Sequence, residues 1–333
     1  MSDEPAAPEF PAPPSYRHWY RASLIVTIVL VLGVVAVLPV AVRSMQEVLG
    51  RGSDPLYDLG TGAEVSLAVL EAAEAEATYV NLGMVDLDET TGQLTLAVSG
   101  NRACGERCPA LELTFIALDD DADQRRGLPP SATLSLAPDD RIFSQSVQLP
   151  IRGQPSLYPF DTYQLWLGVG GSATQADGSQ IELRPEVLVG QATVTLQNRV
   201  PDMIMSAPEA IAPEIVRAEA DPFGFLAVQG LTFTRPAYLQ VLAVALVLLI
   251  GVSAGLALFT RGIDDLALGF GGIVLGVWGV RSVLMPQAIG TVTAIDLALS
   301  WLILLLLLGL AIRAALHFHR HSELSLPRVR PPS

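Results

Sequence analysis

Two patterns of apolar and polar positions divide the chain. Four stretches, 22–42, 237–260, 266–286 and 294–312, stay apolar with few charges, matching the roughly 20 residues that a helix needs to cross a bilayer. Between the first two the pattern alternates. Leu94, Leu96 and Val98 interleave with Thr95, Ala97 and Ser99, and Leu111, Leu113 and Phe115 with Glu112 and Thr114, as expected of strands with one buried face. The turn Glu89-Thr90-Thr91-Gly92 between 80–86 and 93–98 reads as a hairpin. Similar short strands are expected at 132–136, 143–149, 162–169, 180–188, 192–197 and 229–235, while 70–77 fits a short helix or a strand.

These elements predict an α+β membrane protein with four transmembrane helices. An antiparallel β-sandwich over 43–236 is inserted between the first and second. Residues 1–21 form a Pro-rich tail expected to stay disordered, 313–333 a second tail, and 50–62 and 207–213 linkers.

Composition agrees with the hydropathy. Half of the 333 residues are apolar and 16% charged, a membrane protein's balance. The first apolar run is too long for a cleaved leader and is followed by Arg43 rather than a small-residue cleavage site. The chain contains no lysine; Arg17 and Arg21 precede the first run, and Arg313, Arg320, Arg328 and Arg330 follow the last. By the positive-inside rule both termini are cytoplasmic and 43–236 lies outside. That segment holds 27 acidic residues against 12 arginines, a net of −15. Such a field argues against nucleic acid and suits cations or basic partners.

Histidine filters the chemistry, because serine-type triads and most zinc sites use it. The outer segment has none: His18, His317, His319 and His321 all lie near the termini. No enzyme and no cofactor is expected. His317 and His321 share a helix face, but two imidazoles make a weak metal site and no metal is assigned. Cys104 and Cys108 are the only cysteines, and outside the cytoplasm so close a pair should form a disulfide. Asp119, Asp121 and Asp123 begin like a calcium loop, yet Gln124 stands where glycine is needed and Pro130 where glutamate is. An acidic turn is the better reading.

Within the apolar runs, Arg281 and Asp296 need an explanation, since charges at depth are unfavourable. Flanking a short connection, they are expected to pair; the alternative is that Arg281 reaches the headgroups while Asp296 caps the last helix. Gly269, Gly272, Gly276 and Gly279 fall on one helix face, which suits close packing by another helix.

The segment Tyr158-Pro159-Phe160-Asp161, lying behind one anchor and ahead of further apolar runs, resembles an uncharacterised bacterial family of four-pass membrane proteins with a YPFD segment in the outer domain. The same segment is similar to the loop of pentameric ligand-gated channels, in which the Asp lies near an Arg that precedes the first channel helix. Asp161 and Arg235 occupy those positions here, so the resemblance implies that they pair at the membrane face. The expected function is a non-catalytic envelope protein in contact with membrane lipid, whose acidic domain binds a ligand, a protein or a second copy. The alternative is a sensor or channel-like protein coupling the domain to the helices.

Overall fold

The computed structural model describes residues 55–66, 78–105, 107–119, 129–183, 192–211, 225–260 and 292–324, with parts of 24–46 and 271–282. The described strands are, in order, β1 Leu56–Asp58, β2 Glu64–Val65, β3 Thr78–Asp88, β4 Gln93–Asn101, β5 Ala110–Ala117, β6 Ser131–Leu136, β7 Ile142–Pro150, β8 Arg152–Gly153, β9 Thr162–Thr174, β10 Gln180–Glu182, β11 Ala192–Asn198, β12 Ile204–Met205, β13 Glu209–Ala210 and β14 Phe225–Thr234. The described helices of full length are α1, Ala237–Thr260, and α2, Ala294–Leu324.

One sheet runs β2-β1-β11-β3-β4-β7 and the other β12-β14-β9-β5-β6, with β8 and β10 along β9 and β13 along β14. Alternation produces the layers: Leu94, Leu96 and Val98 of β4 are buried while the residues between them are only half-buried. They pack in one core with Phe115, Leu165 and Phe233 of the second sheet. The sandwich is not wholly antiparallel, because β11 lies parallel to β3, with Thr195 beside Asn81. Side-chain alternation reports which face is buried and carries no information on strand direction.

Three boundaries differ from the sequence reading. β1 falls inside the expected linker 50–62 and β13 inside 207–213; neither is long enough to show a period. The expected tail from 313 instead continues α2 to Leu324, since arginine and histidine end hydropathy without ending a helix. Of the expected strand 180–188, residues 184–188 lie outside the described residues, as does 70–77.

The largest correction concerns the helices. The structure is mostly β-sheet, and among the described residues only two helical stretches, Ala237–Gly255 and Ala294–His319, are long and apolar enough to cross a membrane. The four-helix fold class is therefore set aside. Of the expected helices 22–42 and 266–286, only about half of the positions are described, and those are helical; Val31–Val40 is a shorter apolar helix. An apolar run satisfies a length criterion whether or not it folds as one continuous helix.

The chain divides into two compact units. One comprises Ala41–Ala243 with Ser282–Leu297 and holds the sandwich; the other comprises Met1–Val40, Val244–Arg281 and Ala298–Ser333. Within the second, α1 and α2 approach at Gly251, where an added Cβ would lie 3.3 Å from Leu302 Cδ1.

Candidate functional site

The register of β9 against β14 ends at Thr162 opposite Thr234. The next residue on each strand, Asp161 and Arg235, continues that register, so pairing geometry alone sets them face to face. Arg235 Nε donates to both carboxylate oxygens of Asp161, at 3.3 Å to Oδ1 and 3.2 Å to Oδ2. Both side chains are buried.

A third charge arrives from the other sheet. Asp88 and Gln93 close the β3–β4 hairpin, and Asp88 Oδ1 accepts from the backbone N–H of Thr90 at 2.8 Å and of Thr91 at 3.1 Å. Gly92 has φ +67°, a conformation that glycine adopts without strain, and its carbonyl accepts from Ile151 N at 2.9 Å. The hairpin tip is thus fixed, and it holds Glu89 where Oε1 accepts from Arg235 Nη2. Arg235 joins a residue of the first sheet to one that abuts the second.

Aromatic groups enclose the cluster. A short 3₁₀ turn, Pro155–Leu157, leads to a cis Tyr158–Pro159 bond. The Arg235 guanidinium carbon lies 4.9 Å from the Tyr158 ring centroid, a cation–π arrangement. Pro159 is buried and Phe160 exposed. Gly153, paired with Tyr163 across β8 and β9, carries no side chain because the Tyr163 ring occupies that space.

Burial dominates the electrostatics. It raises the Asp161 carboxyl above the ordinary carboxylate range, against hydrogen bonding from its own backbone and the Tyr163 hydroxyl, which lower it. It holds Arg235 down to about 10. Each shift favours the neutral form, as desolvation does, while the facing charge favours the ionised pair. Tyr158 is pushed up to about 12, by burial first and then by Asp161, Asp202 and Tyr238; Tyr163 also rises, again mainly through burial. The cluster has two acids for one base. Glu89 Oε2, Thr91 Oγ1 and the Tyr163 hydroxyl are buried atoms with no hydrogen bond of regular geometry among the described residues, so the Tyr163–Asp161 interaction is a loose one.

Arg235 also governs the start of α1. Gln240 Nε2 donates to the Arg235 carbonyl at 3.4 Å, and Leu239 N to the Pro236 carbonyl at 3.0 Å. Proline suits this position, where its missing N–H costs no helical bond.

The remaining candidates lie elsewhere. Cys104 and Cys108 form a disulfide, with Cα atoms 5.2 Å apart. The buried Arg102 pins this loop to the turn before β7, donating to the carbonyls of Asp140 at 3.2 Å and Pro109, while Cys108 N donates to Asp139 Oδ1 at 3.1 Å. Asp296 accepts from Thr293 N at 3.1 Å and Oγ1 at 3.2 Å, and Asp296 N donates to Thr293 Oγ1 at 3.3 Å: a capping arrangement at the start of α2. The Arg281 guanidinium stands 5.8 Å from the Trp278 ring centroid. Arg281 and Asp296 belong to different units, and their pairing stays an expectation. A Cβ at Gly272, Gly276 or Gly279 would meet nothing within 4 Å, so no described neighbour fills that glycine face; Gly269 lies outside the described residues. His317, His319 and His321 sit on α2, and no group of three or more metal-ligating side chains occurs among the described residues. Asp121 and Asp123 lie outside them.

Sequence reasoning missed Glu89, reading it only as a turn residue. It lies 146 positions from Arg235, and no local spacing connects them. Residues 122–213 match the model of a family described as Domain of unknown function (DUF4436). That match takes in Tyr158 to Asp161 and leaves out Glu89 and Arg235. No curated protein matches the chain.

Proposed function

We propose that this is a non-catalytic bacterial envelope protein, held in a membrane by apolar helices including α1 and α2. Its acidic sandwich lies outside the cytoplasm and binds a basic protein or a ligand, and the state of the sandwich is carried to α1 through Arg235. The observation that carries the reading is the position of Arg235. Its side chain is held by Glu89 from one sheet and by Asp161 beside the other, and its carbonyl is bonded by the first turn of α1. A change in how the sheets sit on each other must pull on that one residue, and through its backbone on the helix. The net charge of −15 over 43–236 supplies long-range attraction for a cationic partner.

The test uses the full chain in lipid nanodiscs with a spin label at position 242, an exposed side chain on α1. Glu89→Gln and Asp161→Asn are each expected to change the label's mobility. An unchanged spectrum in both rejects the coupling. Conductance across planar bilayers that vanishes in Arg235→Gln would move the reading to the channel-like alternative.

A further inference from the structure

The charge cluster contains one negative charge too many. Glu89 and Asp161 face a single base, Arg235, and Arg235 uses Nε on Asp161 and Nη2 on Glu89 Oε1. Glu89 Oε2 remains buried with no hydrogen-bond partner among the described residues. An ionised carboxylate oxygen in that state is strongly unfavourable, whereas a protonated one bears no charge. Two carboxylates on one cation share protons as a unit, and the first proton taken up belongs to the pair.

We propose that the cluster is a buried binding site for one proton. Glu89 and Asp161 together take up a single proton from the medium as pH falls, and Arg235 then faces one negative charge instead of two. The proton adds to a carboxylate oxygen, with Glu89 Oε2 the open position, and no other bond changes.

The surroundings support a proton over other neutralising groups. Facing the cluster are Tyr158, against Arg235, and Tyr163, against Asp161, with Asp202 from the turn after β11 and Tyr238 from α1 acting on Tyr158. Asp88 is turned to the hairpin amides. Both Tyr158 and Tyr163 are pushed toward the neutral phenol, and neither supplies positive charge at neutral pH. The chain has no lysine, and 43–236 no histidine, so no second side-chain cation from those residue types balances the excess. A metal ion would sit against the Arg235 guanidinium, and the two carboxylates fall short of a metal-holding group. Burial also raises the Asp161 carboxyl, which eases uptake.

The consequence for α1 rests on the coupling reading above, but proton uptake does not, and the experiment reads protons alone. Infrared titration of the full chain in nanodiscs is expected to show one protonated-carboxyl band growing in at a pH above the ordinary carboxylate range. The band should be lost in Glu89→Gln and equally in Asp161→Asn, because either change leaves a balanced pair with Arg235. It should persist in Asp58→Asn, which alters a turn carboxylate elsewhere. Loss in both variants distinguishes a shared proton from a merely structural ion pair. Persistence of the band in Glu89→Gln, or a midpoint that moves with sodium concentration, would overturn the proposal.

Discussion

Arg235 faces Asp161 because the register of β9 and β14 runs one residue past its last assigned pair, Thr234 opposite Thr162, and the two side chains meet there at 3.2 Å. Removing Arg235 leaves Asp161 and Glu89 without their cation, whereas removing Asp161 leaves Arg235 paired with Glu89. Arg235→Ala should lower stability by about 3–5 kcal/mol and Asp161→Ala by less, and the double variant should cost less than the sum of the two. Chemical denaturation of the full chain measures this; additive losses would contradict it.

Tyr158 gives the cluster an alkaline limit. Its phenol is raised to about 12 in the folded chain, against an ordinary value of about 10. The stability this contributes is complete below the unfolded value and lost as pH rises through the folded one. Between about pH 10 and 12 the wild type should lose on the order of 2 kcal/mol that Tyr158→Phe retains. Melting temperatures across that window decide it, and parallel curves would contradict the assignment.

Gly153 and Tyr163 compete for one space. The Tyr163 ring occupies the position of an added Cβ at residue 153, so Gly153→Ala should destabilise by about 1–3 kcal/mol, as overpacking does. The loss should shrink in a Tyr163→Val background, where the ring is gone. Equal losses in both backgrounds would assign the glycine to backbone conformation instead.

How much of this was legible in the sequence follows from what alternation encodes. The inward positions of β4, β5 and β9 could be read directly, since burial of one face dictates period two. The parallel pairing of β11 with β3 could not, because direction leaves no trace in that period. Asp161 and Arg235 came through a resemblance in a short segment, and Glu89 through nothing local: a hairpin tip accepts many polar residues, and only the meeting of two sheets selects this one. The count of four spanning helices is not upheld, because among the described residues only Ala237–Gly255 and Ala294–His319 combine apolar composition with the length of a span.

Thr293 and Asp296 act as one cap on α2. Thr293→Ala and Asp296→Ala should each cost about 1 kcal/mol, with the double variant close to either alone. The expected Arg281–Asp296 pair is tested by a second cycle on the same protein. A coupling of about 1–3 kcal/mol upholds it and additivity dismisses it.

In the proposed function, Arg235 carries the state of the sandwich into α1. Hydrogen–deuterium exchange of the full chain in nanodiscs reads this most directly, at the backbone amides of residues 237–243. The account predicts that Asp161→Asn, which leaves the helix sequence untouched, raises exchange there by about tenfold while the core of β5 keeps its protection. Unchanged exchange at 237–243 alongside an intact β5 would contradict it.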